Sequence, residues 1–436
     1  MNKSLGWFSI IRLGLVQSSL GAIVMLATSL LNRVMVVEYA LPALVPAGLV
    51  AWHYAIQLSR PRWGHGSDMG NRRTPWIIGG MGILALGGIL ATDATLMMKD
   101  SPVWGMALAL LAYSMIGAGV GASGTSLLAL LATRVAPERR PAAAALTWIM
   151  MIVGIVVTAG VAGKLLDPFS PQRLANVAGG VAIGAFLVTL CAVFRVEGEV
   201  SAPTIEAAEK PDFGAAIRNI WHDAEARHFT IFVFVSMFAY STQDLILEPM
   251  AGLLFNYTPG QSTSLSSVQH MGVLLGMILV GVGGRAFGGG KGLAMRRWIV
   301  GGCIGSAVAL AGLVMAAMAG PGWPLKATVF TLGFANGVFA VAAIAAMMDL
   351  AGAGKGGREG IRMGLWGASQ AIAFGLGGFS GAAGLDAGRA YFGSAPPAFV
   401  TVFSVEAALF FVAAVLALKI GRVPAISVTN LQTASA

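Results

Sequence analysis

Residues 298–319 read WIVGGCIGSAVALAGLVMAAMA, a run of 22 residues that contains no charged side chain. A helix needs about 20 mainly apolar residues to cross the hydrocarbon core of a bilayer. Backbone polar groups have no water to bond in lipid, so they must bond within the segment, which favours a helix. This stretch therefore predicts a transmembrane helix.

The same pattern occurs along the whole chain of 436 residues. The predicted spans are 12–36, 40–58, 76–97, 103–133, 142–163, 175–194, 229–250, 265–287, 298–319, 324–349, 361–384 and 398–419. No stretch of about ten residues alternates with a period of two, as the strands of a membrane barrel do. We therefore expect an all-α integral membrane protein with twelve transmembrane helices.

The overall composition excludes several classes of protein. Hydrophobic residues make up 56% of the chain and charged residues 11%, against roughly 25% charged in soluble domains. Mean hydropathy is +0.77. A soluble enzyme, a disordered chain and a nucleic-acid-binding protein are excluded, because so few charges could not cover the apolar surface. The 59 glycines fit close helix packing in lipid.

The distribution of basic residues predicts the orientation of the helices. If both termini are cytoplasmic, 22 of the 28 Lys and Arg residues lie on the inner side, as the positive-inside rule requires. The six on the outer side are Arg33, Lys99, Lys164, Arg173, Lys326 and Arg389. The first residues, MNKSLGWFSIIRLG, lack the cleavage site of a signal peptide. We expect a mature cytoplasmic N-terminus.

The chain divides into two halves that repeat. The expected units are six-helix halves at 1–194 and 229–419, a cytoplasmic linker at 195–228 and a tail at 420–436. Residues 212–229 could form an amphipathic helix that binds the interface or a partner, or be only a linker. The fifth and eleventh predicted helices end in Leu166-Asp167 and Leu385-Asp386. Duplicated halves are typical of transporters.

The loop after the second span contains Gly64, Asp68, Arg72 and Arg73. It resembles the signature loop of the major facilitator superfamily, although Asn71 stands where a second glycine is usual. The resemblance implies the major facilitator fold and an inner gate, closed by the acid pairing with arginines. The alternative interpretation is positive-inside charge beside a tight turn.

Longer blocks of the sequence resemble one particular family within this superfamily. They are residues 31–43, 243–252 and 364–378, together with Arg60-Pro61-Arg62-Trp63-Gly64. These blocks are similar to the PucC-type family, which delivers bacteriochlorophyll and assists light-harvesting complex assembly in phototrophic bacteria. The resemblance implies a protein of the bacterial inner (intracytoplasmic) membrane, with light-harvesting apoproteins or pigment-synthesis enzymes as partners. Composition and spacing do not by themselves indicate a pigment.

Ionisable residues inside the spans are expensive to insert, so they are candidates for function. Arg33 lies 21 residues after Arg12 and Asp244 lies 15 after Phe229, which places both toward the outer end of the bundle. Together with Glu38 and Glu248 they form a predicted outer charged cluster. It could couple or gate transport, recognise the polar edge of a pigment, or be a salt bridge between the halves.

Four residues are candidates for pigment contact: His53, His270, Trp366 and Gln370. A neutral imidazole can coordinate magnesium, but a histidine in a membrane helix can instead hydrogen-bond a neighbouring helix. Gln370 could bond a carbonyl group of the ligand or join two helices. The surrounding glycines could form a flat wall for a macrocycle or for a helix.

Motifs of catalysis and ATP binding are missing from the sequence. It has no Walker loop, HExxH or CxxC, and no paired acidic motif of a prenyltransferase. We therefore predict that the chain is not an enzyme and requires no cofactor or metal, although bacteriochlorophyll could be bound. The other hypotheses are a proton-coupled transporter of a small solute, using Asp244 or Glu248, and a scaffold that binds partners through 195–228.

Overall fold

The computed structural model describes residues 5–60, 63, 72–136, 140–197, 224–286, 292–352 and 359–419. Within these ranges the regular structure is helical. A helix lies at each of the twelve predicted positions. The helices are α1 (Trp7–Glu38), α2 (Leu44–Gln57), α3 (Thr74–Met97), α4 (Pro102–Arg134), α5 (Arg140–Leu165), α6 (Pro171–Val193), α7 (Ala224–Thr242 and Leu247–Phe255), α8 (Pro259–Ala286), α9 (Gly292–Ala319), α10 (Leu325–Gly352), α11 (Glu359–Phe392) and α12 (Ala395–Ala417).

Ten of these helices, counted over the described ranges, are long and apolar enough to cross a membrane. The other two are α2, whose regular part has 14 residues, and α11, which has 34 residues and is rich in glycine. The prediction of an all-helical membrane fold is confirmed.

The packing of the helices repeats between the two halves. α1 packs against α5 and α6, and six helices later α7 packs against α11 and α12. The pair α3–α6 recurs as α9–α12, and α2–α4 recurs as α8–α10. The halves meet along two related seams, α2 with α11 and α5 with α8. The fold is therefore two pseudo-repeated six-helix bundles, as the sequence predicts.

We call the end of the bundle where α1 begins and α12 ends the terminal face, and the opposite end the distal face. α1 ends near the distal face through two π-helical turns, Leu26–Leu30 and Val34–Glu38. Such turns are rare and frequently lie at functional sites.

The predicted span 229–250 is wrong as a single uninterrupted helix. α7 breaks between Thr242 and Leu247. Pro249 explains the break, because a proline has no N–H to bond the carbonyl four residues earlier and its ring clashes there. That carbonyl belongs to Leu245, and the side chain of Asn32 on α1 bonds it instead, with Nδ2 2.7 Å from the oxygen.

The expected end of the eleventh helix at Leu385-Asp386 is also wrong. α11 continues to Phe392, so Asp386 lies inside a helix, whereas Asp167 lies just after the end of α5 at Leu165. No proline lies between residues 386 and 392, and the residue that follows Asp386 is Ala387 and not a glycine. Nothing local ends the helix there.

Candidate functional site

Two groups of polar and aromatic side chains lie where the halves meet. We define the distal cluster as Asn32, Arg33, Glu38, Gln243, Glu248, Thr263 and Ser266. We define the central cluster as Tyr54, Tyr240, Asp244, Phe339, Phe374 and Glu406. The predicted outer charged cluster is divided between these two groups.

Arg33 is the largest charged side chain in the distal cluster and is only 2% exposed. Its Nη1 forms an ion pair with Glu38, one turn further along the same helix. Its Nη2 donates to the backbone oxygen of Tyr257, 2.6 Å away in the link between α7 and α8. The charge of Arg33 is therefore paired within α1, and its contact with the second half is to a carbonyl group.

Glu248 lies in the second segment of α7 and is buried. One carboxylate oxygen accepts a hydrogen bond from Ser266 on α8. The other, Oε2, has no partner within hydrogen-bond distance among the described residues, and the hydroxyl of Ser29 on α1 lies close enough to interact with the carboxylate. Arg33 acts on this carboxylate electrostatically, and Gly252 leaves space for the guanidinium, since a Cβ there would lie 3.1 Å from Nη2.

Asp244 lies in the break of α7, in the central cluster. It is half-buried, and its charge acts on Tyr54, Tyr240 and Glu406. Those residues belong to α2, α7 and α12, so Asp244 faces a meeting point of both halves. The structure thus separates Asp244 from the Arg33–Glu38 pair with which the sequence grouped it.

Aromatic rings connect the halves around Asp244. Tyr54 and Phe374 have ring centroids 6.0 Å apart, and Phe374 and Tyr240 are 5.7 Å apart. Tyr240 in turn lies 6.2 Å from Phe339, which contacts Phe410 at 5.6 Å. These spacings and tilted or edge-to-face geometries are typical of favourable aromatic pairs. The result is an apolar aromatic surface with carboxylates beside it.

Glu406 is a functional candidate that our sequence interpretation missed. It is 0% exposed, and neither carboxylate oxygen has a hydrogen-bond partner among the described residues. The signal was present, because Glu406 is the one charged residue in the 23 residues of α12. An ionisable residue isolated inside a membrane helix marks a functional site by default.

The two candidate histidines differ in which ring nitrogen is engaged. His53 Nε2 lies 2.8 Å from Gln57 Nε2, so the amide N–H donates to it and occupies its lone pair. His270 Nδ1 lies 2.9 Å from the backbone oxygen of Ser266, so Nδ1 carries the proton and donates. Nε2 of His270 therefore carries a lone pair, and no hydrogen bond to it is found among the described residues. Metal-ligating histidines are commonly oriented in this way by a carbonyl group.

The remaining predicted pigment contacts lie on α11. Gln370 is half-buried, and its Nε2 is 3.9 Å from the sulfur of Met237 on α7. Trp366 belongs to the same helix, but its side chain is outside the described residues. A Cβ on Gly377 or Gly378 would run into α7. Those two glycines therefore allow α7 to pack closely against α11.

The inner-gate motif lies partly outside the described residues, which exclude Gly64 and Asp68. Arg72 is exposed. The backbone N–H of Arg73 donates to Glu197, 2.7 Å away, and its guanidinium bonds the backbone oxygen of Ala129. These contacts are to α4 and to the first residues of the 195–228 linker, and the gate function stays a prediction.

At the distal face, Asp386 accepts hydrogen bonds from the backbone N–H groups of Ala43 and Leu44, 3.0 and 2.7 Å away. A carboxylate of α11 thereby caps the N-terminus of α2. Asp167 lies in the related position, because a Cβ on Gly260 at the start of α8 would contact its carboxylate. A cleft of about 550 Å³ lies beside Asp386. The sequence repeat identified both aspartates but not this contact.

Two repeated six-helix bundles with buried charges at their junction define a membrane protein of the major facilitator fold. The solved D-xylose-proton symporter has this fold, with a TM-score of 0.71 over 95% of this chain and 97% of that chain, at 13% identity. At such low identity the likeness concerns the fold alone.

The chain belongs to the PUCC family, whose description is PUCC protein and which matches residues 30–424. It is 51% identical over 416 residues to the bacteriochlorophyll synthase 44.5 kDa chain of Rhodobacter capsulatus, covering 95% of each chain. It is 32% identical to Protein PucC of the same organism, covering 94% of this chain and 92% of that protein. The predicted family is confirmed, and the protein is a multi-pass membrane protein.

Proposed function

We propose that this protein binds bacteriochlorophyll, or a close precursor, within the membrane and delivers it during assembly of light-harvesting complexes. The name of the relative that is 51% identical, which contains bacteriochlorophyll, supports this role, and membership of the PUCC family is consistent with it. One relative is named as a chain of a synthase. We propose that this chain has a binding role and no catalytic one.

The observation that carries this proposal is His270 Nε2, whose lone pair has no partner in the part of the chain that the structure describes. His270 lies eleven residues after the start of α8 at Pro259, which is about 16 Å along the helix at 1.5 Å per residue. This depth is near the middle of a hydrocarbon core about 30 Å thick. A fixed imidazole with a free lone pair at that depth can ligate the magnesium of a tetrapyrrole.

We propose that Tyr54, Tyr240 and Phe374, the half-buried rings of the central cluster, contact the rest of such a ligand. A planar macrocycle is largely apolar, and aromatic side chains supply large contact surfaces at low entropic cost. Gln370 is half-buried on α11 and offers an amide donor to a carbonyl group at the ring edge. We propose that Trp366 on the same helix contributes a further contact.

The seams between the halves suggest how pigment would leave. The α2–α11 and α5–α8 seams run between bundles that pack mainly within themselves. Separation along a seam would expose the junction to lipid, so the pigment could pass sideways to antenna apoproteins or arrive from pigment-synthesis enzymes. We place the protein in the bacterial inner (intracytoplasmic) membrane with cytoplasmic termini.

The test is absorption spectroscopy of the protein purified gently from a bacteriochlorophyll-producing host. We expect bound pigment in the wild type and a loss of at least about tenfold in His270→Ala. His53→Ala is the matched control and should retain the pigment, because Gln57 already occupies its Nε2. Absence of pigment from the wild type, or equal occupancy in both variants, would reject the proposal.

A second candidate function is proton-coupled transport of a small solute. Asp244 and Glu406 favour it, since a half-buried and a buried carboxylate that interact can carry a proton through a membrane protein. In inverted vesicles, addition of the transported solute should collapse an imposed pH gradient. Glu406→Gln and Asp244→Asn should each abolish that response, and its survival in both variants would exclude this function.

A further inference from the structure

The distal cluster contains four buried oxygen atoms that have no hydrogen-bond partner among the described residues. They are Asn32 Oδ1, Gln243 Oε1, Glu248 Oε2 and Thr263 Oγ1. Each of the four side chains is at most 2% exposed. Buried polar atoms are normally satisfied by protein, water or an ion. Two nitrogen atoms of the cluster, Arg33 Nε and Gln243 Nε2, also lack a partner among the described residues, but the oxygens outnumber them and favour a ligand that bonds oxygen.

Contacts between three helices bring these residues around the break in α7. Asn32 on α1 bonds the backbone oxygen of Leu245 inside the break, two residues after Gln243. Ser266 on α8 bonds Glu248. Thr263 lies one turn before Ser266 and therefore on the same side of α8. The four oxygens come from both halves of the protein.

The backbone at this position favours a positive ion. The first segment of α7 ends at Thr242, and the C-terminal end of a helix carries partial negative charge. On the other side, the two π-helical turns of α1 flank Asn32. Interrupted helices whose ends and freed carbonyl groups face a cavity are typical cation sites in transporters.

The charges of the cluster also favour a cation. Arg33 forms an ion pair with Glu38 and also acts electrostatically on Glu248, to which the described residues form no ion pair. With both carboxylates ionised, the cluster holds two negative charges and one positive charge. An uncompensated charge away from water is very costly, and a single positive charge would balance it.

We propose that Asn32, Gln243, Glu248 and Thr263 bind one monovalent metal cation of the sodium class. Carboxylate, amide and hydroxyl oxygens are hard ligands suited to such an ion. One carboxylate is too few for a dedicated divalent site, which usually uses several. Because the ligands come from α1, α7 and α8, an occupied site would tie the halves together near the distal face.

The first test measures thermal unfolding of the detergent-purified protein from a host that makes no pigment. Sodium, potassium and choline chloride are exchanged at constant pH and total chloride. We expect a saturable rise in Tm of about 3 °C with sodium relative to choline, because a ligand that binds only the folded state stabilises it by mass action. Equal Tm values in all three salts would overturn the proposal and indicate water or a proton at the site.

Variants then locate the effect. Thr263→Val keeps the side-chain shape and should raise the sodium concentration at half-effect about tenfold, and Glu248→Gln should remove the response. Asp93→Asn is the matched control, because Asp93 is an exposed acid on α3, and it should respond like the wild type. A full sodium response in both site variants would overturn the assignment. The assay contains no pigment, so its outcome is independent of the proposed delivery function.

Discussion

Asp386 Oδ2 lies 2.7 Å from the backbone nitrogen of Leu44, so the last part of α11 caps the first turn of α2 across the two halves. The contact is charge-assisted, since the N-terminus of a helix carries partial positive charge. Asp167 contacts the start of α8 in the repeat-related position. Asp386 therefore joins the α2–α11 seam at the distal face, whereas Asp167 lies beside the α5–α8 seam with its Oδ1 unpartnered among the described residues.

Replacing Asp386 should loosen this face. Removal of a capping side chain costs about 0.5–2 kcal/mol, so Asp386→Ala should shift the equilibrium between closed and open seams several-fold. The measurement is the labelling rate of Ser394→Cys, in the cleft beside Asp386, after Cys191 and Cys303 are replaced. Labelling should accelerate in Asp386→Ala and less in Asp386→Asn. An unchanged rate would show that the cap does not hold the seam.

Asn32 and Pro249 should be energetically coupled. Asn32→Ala leaves the Leu245 oxygen without its partner, and a buried unsatisfied group costs about 1–3 kcal/mol. Pro249→Ala restores an N–H that can bond the same oxygen. Asn32→Ala should therefore lower Tm less in the Pro249→Ala background than in the wild type. If the two substitutions change Tm additively in this double-mutant cycle, Asn32 does not replace the missing N–H of Pro249 as the partner of the Leu245 oxygen.

Glu406→Gln should not destabilise the protein. The carboxylate of Glu406 is buried without a hydrogen-bond partner among the described residues, so a neutral side chain of the same size removes a costly ionisable group. We expect Tm to stay equal or to rise, while ligand binding or transport falls. A large fall in Tm would show that the carboxylate is structural.

Close packing between α8 and α10 should depend on Gly333. A Cβ there would overlap the backbone of Gln269, whereas a Cβ on Gly179 in α6 would meet nothing within 4 Å. Gly333→Ala should cost about 1–3 kcal/mol by overpacking, and Gly179→Ala should leave Tm unchanged. Equal Tm values for the two variants would contradict the packing described here.

The site was predicted less completely than the fold. Arg33, Glu38 and Glu248 were expected near one another, and they are, but Asp244 lies with Tyr54 and Glu406 in the central cluster. Spacing along a helix gives depth and face, whereas the neighbour across the bundle depends on how the helices are rotated and packed. Glu406 lies outside the family-like blocks, and its interaction with Asp244 depends on the packing of α7 against α12.

The sequence by itself determined the membrane class, the helix positions and the family, because bilayer thickness and backbone hydrogen bonding translate directly into long apolar runs. It also revealed the repeat that pairs Asp167 with Asp386. Only the tertiary structure decided that Asn32 bonds the carbonyl freed by Pro249 and that Asp244 and Glu406 interact. Those contacts join residues more than about 150 positions apart, which no local pattern specifies.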